Sequence, residues 1–224
     1  MDSPLRTVLM TTLVAVVCAV LLVGVRGVVS ASVDRNLLID EQRAVLDALD
    51  VRESGVALAW GSAAAVEDAF VRFVRKDRGA AGIEQEFDVF TYMVGSETRG
   101  VAIRVFGRGL WGEIRGFVAL DPRPPGAERW PVRGLVIYRD EETPGLGKRM
   151  RDDDFKARFR TAAGKLVPGL RILKGEGSAS GPLEVDGITA ATITTQGVQG
   201  LIDRAVAWYA GEAGVASGES AHGG

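Results

Sequence analysis

Four threonines and one aspartate lie in a stretch of small residues near the end of the chain, Val185 to Val198, which leads directly into an apolar helical pattern. Glycine and alanine let another molecule approach the backbone, and a threonine hydroxyl can be esterified. A helix that begins after such a turn offers unpaired N–H groups and a partial positive charge, which suit a phosphate. On composition alone, a Thr-rich N-terminal cap of a C-terminal helix is the simpler interpretation.

The order of residues in this stretch resembles the sequence recognised by the flavin transferase that esterifies FMN, through its phosphate, onto a threonine. The matching residues read Asp186-x-x-Thr189-Ala190-Ala191-Thr192. The resemblance implies that Thr192 is the acceptor, that Asp186 belongs to the recognition pattern, and that the small residues between them leave room for the phosphate. Such domains often have Ser-Gly where this chain has Thr189-Ala190. Thr194 and Thr195 have the wrong spacing from Asp186 to serve as acceptors.

A glycine-rich segment earlier in the chain, Gly107 to Gly112, satisfies G-x-G-x-x-G. A dinucleotide site would need a helix to start there, but Glu113 to Leu120 has the pattern of a strand, which excludes that interpretation. Gly107 to Asp121 instead resembles a G-x-G-L-W segment of the NqrC family, a family of flavin-bearing subunits of the sodium-translocating NADH:quinone oxidoreductases. We include Trp111 among the expected cofactor contacts; a half-buried hairpin residue is the alternative.

A third segment, Glu142-Thr143-Pro144-Gly145-Leu146-Gly147, predicts bent backbone with few large side chains. It matches a segment of the flavin-bearing subunits of this oxidoreductase and of the related Rnf complex, where it lies beside the flavin. The resemblance therefore implies further cofactor contacts, from Glu142, Thr143, Gly145, Leu146 and Gly147.

Composition excludes several functional classes. The net charge of −2 and a pI near 5.6 give no reason to expect nucleic-acid binding. The single cysteine, Cys18, can form neither an internal disulfide nor a cysteine metal cluster. The single histidine, His222, lies in a Gly/Ser-rich tail and is predicted to be solvated. We expect no metal site and no catalytic side chain.

An uncharged run from Thr7 to Val25 predicts a single transmembrane helix, because it is long enough to cross the hydrocarbon core of a bilayer. A cleaved signal peptide is the alternative, since Val29 to Ala31 resembles a cleavage site, but the run is longer than a usual signal core. Arg26 and Arg35 outnumber Arg6, which weakly favours a cytoplasmic location for the residues after the span. A long C-terminal domain can nevertheless cross the membrane regardless of these charges.

The remaining pattern predicts an α+β fold, in which an antiparallel sheet with packed helices follows the N-terminal transmembrane helix. The predicted helices are Ser32–Asp50, Ala57–Arg78, Asp153–Lys165 and a C-terminal helix with a buried stripe from Val198 to Tyr209. The predicted strands are Phe87–Val94, Gly100–Phe106, Glu113–Leu120, Pro131–Tyr138 and a short one at Leu170–Leu173. A flexible Gly/Ser link, Gly175–Pro182, precedes the Asp186 motif, and a polar tail begins at Gly211. We divide the chain into a transmembrane anchor (1–29), a helical linker region (30–85), an FMN-binding α+β domain (86–212) and a flexible tail (213–224).

The three segments occur in the same order as in the NqrC family, and the resemblance covers roughly residues 1–210. It implies a flavoprotein subunit that relays electrons from NADH toward ubiquinone through FMN on Thr192, within a multi-subunit complex that exports sodium. It also implies maturation by the flavin transferase and a single span of the bacterial inner membrane, with the flavin domain on the periplasmic side. No NADH, quinone or sodium site is evident in the sequence itself.

Two alternatives remain open. One is the corresponding RnfG-type member of an Rnf electron-transport complex, which would carry the same covalent FMN. The other is a membrane-anchored assembly or binding module without flavin, in which Thr192 would affect only the local capping of the helix.

Overall fold

The computed structural model describes residues 4–51, 62–77, 87–122, 130–161, 166–167, 170–181 and 183–219. The chain divides into two compact units, Met1–Asp40 and Glu41–Gly224. Helix α1 (Pro4–Ala48) contains a 22-residue segment, Arg6–Gly27, that is long and apolar enough to cross a membrane. At 1.5 Å per residue this segment spans about 33 Å.

Helix α1 is continuous, so the predicted transmembrane helix and the helix predicted to follow it form one element. The residues between the two, 26–31, include one glycine and no proline, and nothing among them ends the helix. The helix ends at Ala48, and Asp50 then adopts a positive φ of 46°.

The second unit contains a six-stranded antiparallel sheet in which the strands follow one another in chain order. The strands are β1 (Val74–Asp77), β2 (Val89–Val94), β3 (Glu97–Arg108), β4 (Glu113–Leu120), β5 (Trp130–Arg139) and β6 (Leu166–Val167). The predicted α+β class is confirmed. Because β3 and β4 pair from Val101↔Leu120 to Arg108↔Glu113, the loop after Arg108 and the end of β5 lie at the same end of the sheet.

Strand β1 corrects the prediction of a helix from Ala57 to Arg78. Helix α2 covers only Ala63–Phe73; the chain then becomes extended at Val74 and pairs with β2. A hydrogen-bonding partner at the sheet edge therefore overrides the helical pattern of these residues. Residues 57–61 and 78 lie outside the described part of the chain.

Helices pack on both faces of the sheet. Helix α2 packs through Phe70 on Phe90, with ring centroids 6.0 Å apart, and on this face Arg104 forms an ion pair with Glu41. The opposite face carries the main apolar core, including Ile103 and Val118. Because neighbouring side chains along a strand point to opposite faces, each strand contributes residues to the packing on both faces of the sheet.

Helices α3 (Asp153–Thr161) and α4 (Thr192–Glu219) contribute to this main core. Phe155 and Phe159 form the predicted pair, with ring centroids 5.3 Å apart. The predicted stripe of α4 is buried at Val198, Leu201, Ile202 and Ala205. Helix α4 continues past Gly211, where the sequence predicts a polar tail, to Glu219.

The link before α4 is ordered by short-range pairing. Strand β7 (Arg171–Ile172) pairs in parallel with β8 (Glu184–Val185). Between them Gly175 and Gly177 adopt φ values of 79° and 74°, which allow the sharp bends that bring the chain back. The predicted strand at Leu170–Leu173 is thus confirmed in part.

Candidate functional site

The three segments singled out in the sequence meet at one carboxylate, that of Glu142. Its side chain is buried, at 5% exposure. Its Oε1 accepts a hydrogen bond from the backbone N–H of Trp111 at 2.9 Å, and its Oε2 accepts one from the hydroxyl of Thr194 at 2.5 Å. The loop after β3, the loop after β5 and the first turn of α4 are therefore joined through one side chain.

Glycines make this close approach possible. A Cβ atom on Gly109 would collide with Oε1 of Glu142, and one on Gly147 would collide with Oε2. Farther along α4, a Cβ on Gly197 would lie 2.5 Å from the carbonyl oxygen of Arg108. The side-chain-poor backbone predicted for these segments thus packs against other parts of the chain.

Helix α4 begins at Thr192, the predicted acceptor. The N–H of Ala191 donates to the carbonyl of Ile188 at 3.2 Å, and the N–H of Thr195 donates to the carbonyl of Ala191 at 2.9 Å. Within the described part of the chain, the N–H groups of residues 192–194 have no backbone acceptor. They form the positively polarised end of the helix, where an anion is favoured.

The four threonines of this stretch differ in their surroundings. Thr194 and Thr195 are buried, at 1% and 4% exposure. Thr189 is exposed, and its Oγ1 accepts a hydrogen bond from the N–H of Glu176 at 3.3 Å. Thr192 is half-buried, and its hydroxyl makes no hydrogen bond to the residues that the structure describes. Thr192 therefore combines access to solvent with an unengaged hydroxyl.

The carboxylate of Asp186 points into the preceding loop. Its Oδ1 accepts hydrogen bonds from the N–H of Ser178 at 2.8 Å and of Ala179 at 2.7 Å. These bonds, that of Ala179 first, together with the N–H of Gly177, lower the pKa of Asp186 against a smaller opposing effect of burial. In the folded chain, Asp186 thus shapes the loop that leads to Thr192.

Arg158 on α3 holds the backbone at Asp186 and Gly187 in place, a role that the sequence did not indicate. Its Nη1 donates to the carbonyl of Gly187 at 2.6 Å and to that of Asp186 at 3.2 Å. Its Nη2 donates to Glu176 at 3.0 Å, and Glu176 also accepts from Arg149 at 2.9 Å. The two guanidinium groups, Arg158 first, lower the pKa of Glu176.

Two of the small residues in the turn before Thr192 have contrasting environments. Ala191 is 7% exposed and belongs to the main core, where it anchors the start of α4. Ala190 is exposed and has a φ of 62°, in the left-handed region. Burial of Ala191 therefore anchors the turn, and the positive φ of Ala190 bends it.

The loop after Glu142 forms the turn predicted for it. Gly145 has a φ of 76°, and the carbonyl of Thr143 accepts hydrogen bonds from the N–H groups of Leu146 and Lys148, each at 3.2 Å. Thr143 and Gly145 are exposed, whereas Gly147 is buried. A short 3₁₀ helix, Gly147–Arg151, follows the turn.

Large apolar side chains are exposed on all three segments. They are Leu110, Trp111, Leu146 and Ile193, with exposures of 50%, 67%, 44% and 54%. Outside α1, Val71 and Val94 are the other large apolar side chains in the described chain that are exposed to a similar degree. We call these four residues the apolar rim. The alternative of a half-buried Trp111 is wrong, because its ring lies mostly in solvent.

Comparison with known proteins agrees with this geometry. Residues 109–207 match the FMN-binding domain family, and this range includes the second and third segments and the first one from Gly109 onward. The NqrC protein of the Na(+)-translocating NADH-quinone reductase of Yersinia pestis is 27% identical over 88% of this chain and 86% of its own length. Its Vibrio campbellii counterpart is 36% identical over 51% of this chain and 43% of its own length. The chain is therefore similar to NqrC proteins over most of its length.

Solved structures of NqrC proteins have the same fold. NqrC of Shewanella oneidensis has a TM-score of 0.57 at 24% identity, with 75% of this chain and 90% of that chain covered. The NqrC protein from Parabacteroides distasonis has a TM-score of 0.61 at 20% identity, with 79% and 92% covered. The chain is thus an NqrC homologue with an FMN-binding domain.

Proposed function

We propose that this chain is the flavoprotein subunit of a sodium-translocating NADH:quinone oxidoreductase and that it carries FMN as a phosphoester of Thr192. One observation carries the proposal. Thr192 is the residue at which α4 begins; its side chain is half-buried, and its hydroxyl is unengaged within the described chain. The homology with NqrC proteins and the match to the FMN-binding domain family support the same assignment.

The surroundings of Thr192 fit both ends of FMN. The polarised N–H groups at residues 192–194 suit a phosphate. The apolar rim suits a flat aromatic ring, because burying apolar surface against it is favourable. We propose Trp111, Leu146 and the turn containing Thr143, Gly145 and Gly147 as the residues that hold the ring.

Attachment of FMN needs an activated donor, because a free phosphate is a poor electrophile. We infer a flavin dinucleotide bound to a flavin transferase. The Oγ of Thr192 forms a bond to the phosphorus of the FMN moiety, the bond between the two phosphates breaks, and a nucleoside monophosphate leaves. The hydroxyl proton passes to solvent.

After maturation, FMN supplies the electron-transfer chemistry, and the protein holds and orients it. No acid or base side chain of this chain is required for that role. The phosphoester to Thr192 retains the cofactor in a half-exposed site that would otherwise release it. We place the domain on the periplasmic side of the inner membrane, where the other subunits of the complex would bring NADH-derived electrons to it and take them on to quinone.

The test is the full chain produced with and without the flavin transferase. We expect yellow-green fluorescence at its position on a denaturing gel only when the transferase is present. Thr192→Val, which keeps the shape of the side chain without its hydroxyl, abolishes the fluorescence, and Thr192→Ser retains it. Fluorescence that persists in Thr192→Val would contradict the assignment of the acceptor.

A further inference from the structure

We propose that Glu142 is a positioning residue for flavin attachment, which fixes the first turn of α4 so that the hydroxyl of Thr192 faces outward. This inference rests on the proposed attachment of FMN to Thr192. It gives Glu142 a role through its protein partners, in place of the direct cofactor contact expected from the sequence.

The two carboxylate oxygens of Glu142 are already engaged. Oε1 accepts from Trp111 and Oε2 from Thr194, and glycine backbone packs beside each oxygen at Gly109 and Gly147. At 5% exposure, little of the side chain remains for another molecule to touch. The carboxylate therefore holds Trp111 and Thr194 in position without contacting the cofactor itself.

The bond to Thr194 sets the rotation of α4 about its own axis. Successive residues of a helix are turned by about 100°, so Thr192 and Thr194 lie about 200° apart. Because Thr194 is held inward by a 2.5 Å hydrogen bond to the carboxylate, Thr192 is directed to the outer side. Hydrogen bonds to an ionised acceptor are the stronger kind, which makes this bond an effective constraint.

A carboxylate is a costly choice for a purely structural contact. An apolar side chain of similar volume would fill the space without the loss of hydration that a buried carboxylate suffers. Here the first turn of α4 offsets part of that loss, because negative charge is favoured at a helix N-terminus. The same carboxylate also fixes the N–H of Trp111 on the apolar rim, so it couples the acceptor to the proposed ring site.

The experiment measures the initial rate at which purified flavin transferase and a flavin dinucleotide modify the full apoprotein in detergent, scored by intact mass. Glu142→Ala lowers this rate by about tenfold or more, because a misdirected nucleophile reacts slowly. Glu142→Gln restores it to within about threefold, because the amide can accept from Trp111 and donate to the oxygen of Thr194. Rates are corrected for the folded fraction, measured by thermal unfolding.

Two further variants keep the test decisive if Glu142→Ala folds poorly. Thr194→Val removes the hydroxyl with little change in volume and slows modification, whereas Thr194→Ser keeps it near the wild-type rate. Glu141→Ala, at the exposed neighbouring carboxylate, serves as the matched control and leaves the rate unchanged.

Wild-type modification rates in folded Glu142→Ala and Thr194→Val would overturn the positioning role and leave the proposed function intact. An equal loss in Glu142→Gln and Glu142→Ala would also overturn it, because hydrogen-bond geometry would not be the operative factor. A wild-type chain that is never modified would instead overturn the proposed function, and this inference with it.

Discussion

Ala190 adopts a backbone conformation that an alanine rarely occupies, with φ at 62° directly before the buried Ala191. The left-handed region brings Cβ close to the following carbonyl, which glycine avoids. We predict that Ala190→Gly raises the free energy of unfolding by about 1 kcal/mol. Relief of the steric strain stabilises the folded chain, and the added flexibility of the unfolded chain offsets part of that gain.

Urea denaturation of the full chain in detergent measures this change. Ala210→Gly, at an α4 position with helical backbone, is the control and should lower stability, because there glycine adds flexibility to the unfolded chain and removes a Cβ that packs against the core. Equal destabilisation by the two substitutions would show that residue 190 carries no strain.

Asp186 predicts a pH dependence of stability. Its folded pKa lies below the ordinary value of 3.8, so its stabilising effect is present above that pH and is lost as the pH falls through the folded pKa. We therefore expect the difference in unfolding free energy between wild type and Asp186→Asn to be constant above about pH 5 and to shrink below it. The difference isolates Asp186 from Glu176 and Glu184, whose pKa values are also lowered. A difference that grows on acidification would contradict the hydrogen bonds to the Ser178 loop.

The sequence predicts the start of α4 because its signal is local. Small residues, threonines and the following apolar stripe all lie within one short stretch around Thr192. The partnership of Glu142 with Thr194 could not be predicted in the same way, because 52 residues separate them and no periodicity links them. Arg158 was missed for the same reason: its acceptors are backbone carbonyls, which have no sequence signature.

The contact between α4 and the end of β3 determines where Thr192 lies. A Cβ on Gly197 would meet backbone, the carbonyl of Arg108, at 2.5 Å, whereas a Cβ on Gly200 would meet only the movable Nη1 of Arg204 at 3.5 Å. We predict that Gly197→Ala destabilises the fold by about 1–2 kcal/mol, since overpacking outweighs the gain in helix propensity. It should also slow flavin attachment, because the first turn of α4 shifts.

Gly200→Ala is the matched control. It should be neutral or stabilise the chain by up to about 1 kcal/mol through helix propensity alone. Denaturation of both variants, followed by the gel assay for flavin, measures the contrast. Equal stability of the two variants would contradict the close contact between Gly197 and Arg108.

At the level of elements, the long strands of the sheet were predictable and its two short edge strands, β1 and β6, were not. Strands β2 to β5 have at least six residues each and are rich in β-branched and aromatic residues, which is a strong pattern. Strands β1 and β6 have four and two residues, and each exists because an edge of the sheet accepts it. Pairing with a neighbouring strand therefore determined the conformation of β1 and β6, which their own sequences did not specify.

The whole molecule combines an apolar N-terminal helix with a globular unit whose side of the membrane follows from the proposed function. We expect the C-terminus to lie outside the cytoplasm. In a bacterial host, alkaline phosphatase fused after residue 224 should be active, while a green fluorescent protein fused at the same position and exported through the general secretory route should be dark. Strong fluorescence of the second fusion with an inactive first one would contradict the periplasmic placement. The flanking arginines alone do not decide it, because long domains cross regardless of nearby charge.

The most direct test of the central claim is tandem mass spectrometry of one tryptic peptide from the natively produced chain. Cleavage after Lys174 and Arg204 releases residues 175–204, which contain Thr189, Thr192, Thr194 and Thr195 together. The account predicts that this peptide carries one FMN, linked through phosphate, and that the fragment ions assign it to Thr192. A bare peptide, or FMN on one of the other three threonines, would contradict it.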